Sequence, residues 1–281
     1  MAEGLEVLNF GNFLVDNAAS IWTFFLLSIR FFAMMMLLPG LNGGPQGRYV
    51  RTAGILMMAF ASSTTSPNAT LPPDLATMIV QGFSEALLGL AMGLLPALLI
   101  AGVVTGGQLS ANTMGLGASQ LIDPTLGQTS TSLGRVFGDL TAVLFLLMGG
   151  HYVVIKAVSG LGGTIIPGTF VFSEISSQLL IDRTGDIFRV GVMVSAPVIV
   201  ALLLTQFVMG LVTKAVPSVN IFIVSFPLTI GIGLVLSALS LPELLVFVER
   251  EIVGVENSLL VLVEDTKTLP QVPDPGAPKT P

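Results

Sequence analysis

Between Val190 and Pro242 the chain carries one charge, Lys214, set between two uncharged runs at 190–213 and 215–242. Few folds accept that pattern. A helix needs about 20 predominantly apolar residues to cross the hydrocarbon of a bilayer. There the backbone must satisfy its own N–H and C=O groups, and a helix does so within one segment. Only 10% of the 281 residues are charged and 52% are hydrophobic, whereas soluble domains carry about 25% charged residues. The pattern predicts an all-α integral membrane-type protein of about six to seven long, partly broken helices.

The other runs are unequal. Residues 5–13 are short and amphipathic, and 18–38 form a long run interrupted by Arg30 and closed by the breaker cluster 39–45. Residues 52–61 are too few to span, and 62–73 form a polar, proline-rich loop. The run 75–109 is too long to lie straight across and holds Glu85, Pro96 and a series of glycines. A fourth run, 133–158, carries Asp139 and His151; a mixed, charged connection follows at 160–189. A final helix is expected over 242–263, and a proline-rich, disordered tail over 267–281. Successive loops offer Arg48 and Arg51, then none, then Arg135, then Lys156, Arg183 and Arg189, then Lys214. Alternate sides thus collect similar positive charge, which does not orient an ordinary alternating topology.

Three constellations carry functional weight. Pro217 removes a backbone donor and biases Val216 away from the helical region, so a corner is expected after Lys214. Asn220 is placed to cap the next helix and Pro227 to kink it. Taken alone, that corner reads either as a helix hairpin or as an ion site. Second, Gly82, Glu85, Gly89 and Gly93 recur at spacings of three and four, on one helix face that invites another backbone close. Glu85 is then either a buried carboxylate satisfied by a neighbour or a proton relay, with Arg30, Asp139, His151 and Lys156 the ionisable groups in or beside the first four runs. Third, the loop 115–127 holds Gly115, Gly117 and Gly127 with a single charge. It reads as a connector or as irregular backbone filling a lumen.

Other classes find little support. There is no cysteine, and one histidine cannot build a typical zinc site. No nucleophile elbow, phosphate loop or His-Glu-x-x-His motif occurs, so neither an enzyme nor a cofactor or metal is expected. The net charge of −6 comes mostly from the C-terminal part, read as a solvated acidic helix and tail. No basic cluster suits nucleic acid. The opening Met1-Ala-Glu-Gly-Leu-Glu6 is acidic, and no cleaved signal peptide is expected. A secondary transporter or ion channel is the alternative that Glu85, Asp139, Lys214 and the broken helices suggest, although no repeat relates the halves.

The order Arg30, Pro39, Arg51, Glu85-Ala-Leu-Leu-Gly89, Ala101-Gly102, Gly107, Ile122-Asp123-Pro124, Gly149-Gly-His151, Pro167, Pro197, Lys214-Ala-Val-Pro217-Ser-Val-Asn220-Ile-Phe222 and Phe226-Pro227 resembles the FliR/SctT family of type III secretion export-gate subunits. Asp123-Pro124 and Gly149-Gly-His151 favour its flagellar branch. Lys214 and Ser218 stand where the family usually has Arg and Gln, and lysine lacks the planar fork of arginine. The resemblance implies a non-catalytic subunit, present in one copy with FliP-type, FliQ-type and FlhB-type subunits. These would form a spiral channel for unfolded flagellar substrates in the basal body of the bacterial inner membrane, above the bilayer plane. It implies a plug at about 114–127 (Met114, Gly115, Gly117, Ile122, Asp123, Pro124, Gly127) and a cytoplasm-facing corner at Lys214. It also divides the chain into an N-terminal helical part, 1–185, a C-terminal hairpin and final helix, 186–265, and a tail, 266–281.

Overall fold

A computed structural model describes residues 15–39, 45–116, 132–160, 165–216 and 221–268. The described residues form eight helices and no strand. They are α1 (Ala18–Leu37), α2 (Pro45–Ser63), α3 (Leu75–Met114), α4 (Ser132–Leu147), α5 (Gly150–Ser159), α6 (Glu174–Ala215), α7 (Ile221–Leu239) and α8 (Leu241–Thr268).

α3 is the axis of the fold. It starts at Asp74, whose carboxylate accepts from the Thr77 N–H at 3.0 Å and from the Thr77 hydroxyl. It stops at Gly115, which adopts φ +90°, a left-handed cap that favours glycine. Its 40 residues extend roughly 60 Å, about twice the hydrocarbon thickness. α1, α4 and α6 pack along it, with α5, α7 and α8 touching it less extensively. The largest core joins Leu27, Phe31, Met34, Leu88, Met92 and Phe145, and a smaller one at the far end of α3 joins Met114, Val198 and Leu202.

Two sequence expectations change. The run 133–158 is not one helix: it breaks at Gly149, φ +80°, and α5 leaves α4 at 65°. Gly150 packs so closely that a Cβ there would lie 2.3 Å from the Phe145 ring. Within the connection 160–189, residues 174–189 are helical, because Ser173 caps α6, its hydroxyl accepting from the Ser176 N–H at 3.2 Å. α6 then runs 42 residues without a break, through residues 185 and 186. α7 and α8 meet at a second bend of 47°. Among the described residues three helices, α1, α3 and α6, are long and apolar enough to cross a membrane, or five spans if each bent pair counts as one.

Candidate functional site

Glu85 is fully buried on α3 and faces Arg30, also fully buried, on α1. The guanidinium grips it with two parallel bonds, Nε to Oε2 at 2.5 Å and Nη2 to Oε1 at 3.0 Å. This fork–fork arrangement is available to arginine and not to lysine. Oε1 accepts a further bond from the Gly168 N–H at 2.6 Å, and Arg30 Nη1 donates to the Val158 carbonyl at 3.2 Å. Both carboxylate oxygens are thus engaged, and the pair ties α1, α3, the end of α5 and the segment before α6. Asp139 and Lys156 are exposed and take no part. The His151 and Tyr152 rings lie tilted at 37° with centroids 4.0 Å apart, and the buried His151 Nδ1 has no hydrogen-bond partner among the described residues.

The glycine face predicted from spacing lies against α1. A Cβ at Gly89 would sit 2.2 Å from the Arg30 carbonyl oxygen, and one at Gly93 would sit 2.7 Å from that of Met34. Gly82 is looser, 3.5 Å from Ile29 Cδ1. The close approach brings Arg30 within reach of Glu85, so seam and ion pair are one device. A second seam follows along α3, where Gly102 and Gly106 admit Val190 and Val194 of α6 and Gly107 meets Gly134 of α4.

At the far end, Met114 is buried and Gly115 packs against Phe226. Pro227 lies inside α7, and Lys214 is exposed in the last turn of α6. Gly117, Ile122, Asp123, Pro124 and Gly127 of the expected plug, and Pro217 and Asn220 of the expected corner, lie outside the described residues.

Residues 21–254 match the family described as bacterial export proteins, family 1. The chain belongs to this family. It is 26% identical to the flagellar biosynthetic protein FliR of Escherichia coli over 238 residues, covering 84% of this chain and 91% of that one. It is 32% identical to the FliR of Aquifex aeolicus over 165 residues, covering 58% and 63%. The Yop proteins translocation protein T of Yersinia pestis is 21% identical over 248 residues, covering 86% and 94%. Flagellar biosynthetic proteins and a Yop translocation protein are both present among these relatives.

Several polar contacts of this export-family fold escaped the sequence reading. The Trp22 indole N–H donates to Gln81 Oε1 at 2.7 Å, and the Gln81 amide N–H₂ donates to the Thr70 carbonyl at 3.3 Å. The Ala69 N–H donates to the Thr23 hydroxyl at 2.8 Å. Trp22 and Gln81 lie eight and four residues before Arg30 and Glu85 on the same two helices, so the helical period was a usable signal. Asp265 corrects the reading of a solvated acidic end: it is buried and accepts from the hydroxyls of Ser173 and Ser176, the latter at 2.5 Å. A helix also continues to Thr268, past the expected end at 263.

Proposed function

We propose that this chain is a non-catalytic subunit of the flagellar type III protein export gate, forming part of the substrate conduit and carrying its plug. The observation that carries the reading is the family match over residues 21–254, which takes in the Arg30–Glu85 pair, both glycine seams, the loop after Met114 and the corner after Lys214. The flagellar branch is favoured because identity to FliR of Escherichia coli and Aquifex aeolicus, 26% and 32%, exceeds the 21% to the Yersinia protein.

One copy would join FliP-type, FliQ-type and FlhB-type subunits in a spiral at the inner membrane, within the flagellar basal body, and pass unfolded flagellar substrates. The outer face of α6 supports a partner-covered role, since Val200, Leu203, Leu204, Phe207 and Leu211 are all exposed. Exposed apolar surface of this extent marks an interaction site or a lipid-facing one. The proposed division at residue 185 falls inside α6, so the N-terminal part and the hairpin share that helix. Glu85 is one of the groups that suggested the transporter alternative, and the engagement of both its oxygens favours a structural role for it.

Co-expression with the other gate subunits tests the proposal. The chain is expected to purify in a stable complex with them and poorly alone. A well-behaved lone chain that never joins them, or one that moves a solute when reconstituted by itself into vesicles, would overturn it.

A further inference from the structure

The last turn of a helix leaves carbonyls without intrahelical partners, and at the end of α3 other helices supply donors. The Gln206 amide of α6 donates to the Thr113 carbonyl at 3.3 Å. The Thr229 hydroxyl of α7 lies 3.2 Å from the Met114 carbonyl. The Met114 side chain is seated by Gly233: a Cβ there would lie 2.5 Å from Met114 Cγ and 2.7 Å from its Sδ and Cε. Gly115, at φ +90°, is closed over by Phe226, whose ring edge would be 2.9 Å from a Cβ. All these contacts converge on three consecutive residues, at the start of the segment read as the plug, which in sequence runs on to residue 127.

Thr229 has a property that plain packing lacks. Its one hydroxyl proton faces three acceptors, Met114 O at 3.2 Å on α3 and Ser225 O at 3.0 Å and Phe226 O at 3.2 Å on its own helix. Turning back to its own helix is an ordinary threonine conformation. The hydroxyl can therefore release α3 without leaving its own donor unsatisfied. Gly233 sets the complementary steric condition, since Met114 stays seated only while position 233 lacks a side chain.

We infer that Thr229 and Gly233 are positioning residues, through which α7 holds the root of the plug loop at Met114–Gly115 and couples it to the α6–α7 hairpin. The inference rests on the plug reading above. A hairpin displaced by its partners would shift Met114, and with it the point from which the loop departs.

The test uses the assembled gate in membranes, with ion leak and co-purification of the other subunits measured on the same preparations. Deleting residues 115–127 tests the plug reading itself: a tight membrane there sinks that reading and this inference with it. Given a leaky deletion, Gly233→Val is expected to leak in the same direction while the complex still assembles. Adding Met114→Ala, which vacates the space, is expected to restore tightness. Gly231→Val is the control for valine in α7, because nothing lies within 4 Å of a Cβ at Gly231; it is expected to stay tight. A tight Gly233→Val, or a Gly231→Val that leaks equally, overturns the inference and leaves the plug reading standing. Should Gly233→Val block assembly, Thr229→Val decides: a raised leak supports the coupling and a wild-type membrane refutes it.

Discussion

The α1–α3 seam and the outer face of α6 solve opposite problems. At the seam, charges and amides are turned inward: Arg30 and Glu85 are both 0% exposed, and Trp22 and Gln81 pair beside them. On α6, apolar groups are turned outward, with Phe207 and Leu204 each 65% exposed. Between helices in an apolar environment hydrophobic burial offers little preference, so small residues and polar bonds select which helices adjoin. The seam therefore specifies its own partner within the chain. The outer face of α6, with few polar groups to match, is the kind of exposed apolar surface that marks an interaction or lipid-facing site. Inward polar bonding and outward apolar surface are thus assigned to different helices.

That contrast can be broken most forcefully at the ion pair. Glu85→Ala leaves a buried guanidinium uncompensated and is expected to cost about 3–5 kcal/mol, read as a lower unfolding midpoint in detergent. Arg30→Lys keeps the charge and loses the fork, so its loss should be smaller; equal stability of Glu85→Ala and wild type would remove the pair as the organiser of the seam. Next comes Gly89→Leu, which forces α1 off α3 because even a Cβ meets the Arg30 carbonyl at 2.2 Å. Overpacking of this kind costs about 1–3 kcal/mol, and cysteine cross-linking of the two helices should fall with it.

A smaller effect is expected outside the apolar segments, at the Asp74 cap. Its carboxyl is held below its ordinary pKa, first by the Thr77 hydroxyl and then by the Thr77 N–H. The cap therefore contributes fully above the unfolded carboxyl's pKa, and the contribution is lost as pH falls through the lower folded value. Asp74→Ala should flatten that acid limb of the stability profile; an unchanged limb would show that other carboxylates set it. The smallest effect on the chain's own stability belongs to Phe207→Ser, since the ring is already exposed. Its expected signature is weaker co-purification with the proposed partner subunits at an unchanged midpoint, and a lowered midpoint with intact co-purification would reverse the comparison.

How legible the site was follows the range of each interaction. The face carrying Gly82, Glu85, Gly89 and Gly93 could be read because helical period is local, and its capacity to admit another helix follows from side-chain size alone. The partner of Glu85 could not be chosen among Arg30, Asp139, His151 and Lys156, since nothing local ranks groups tens of residues apart. Asp265 looked like one more tail carboxylate because its partners, Ser173 and Ser176, are about ninety residues away. The break at Gly149 was hidden inside a continuous apolar run that hydropathy reads as one segment. It needs both a left-handed glycine and the Phe145 ring against Gly150.

The sequence by itself determined that this chain is helical, that it keeps charge out of long stretches, and which faces are narrow enough for close packing. Backbone hydrogen bonding in an apolar medium and the absence of side chains at regular spacing act within one segment, so they are written in order along the chain. Only the tertiary structure decided that Arg30 answers Glu85, that α6 continues through the charged connection, and that Thr229 and Gly233 meet Met114. Those outcomes depend on which helices are brought together, and close approach through glycine must come first before a guanidinium or a hydroxyl is near enough to choose its partner.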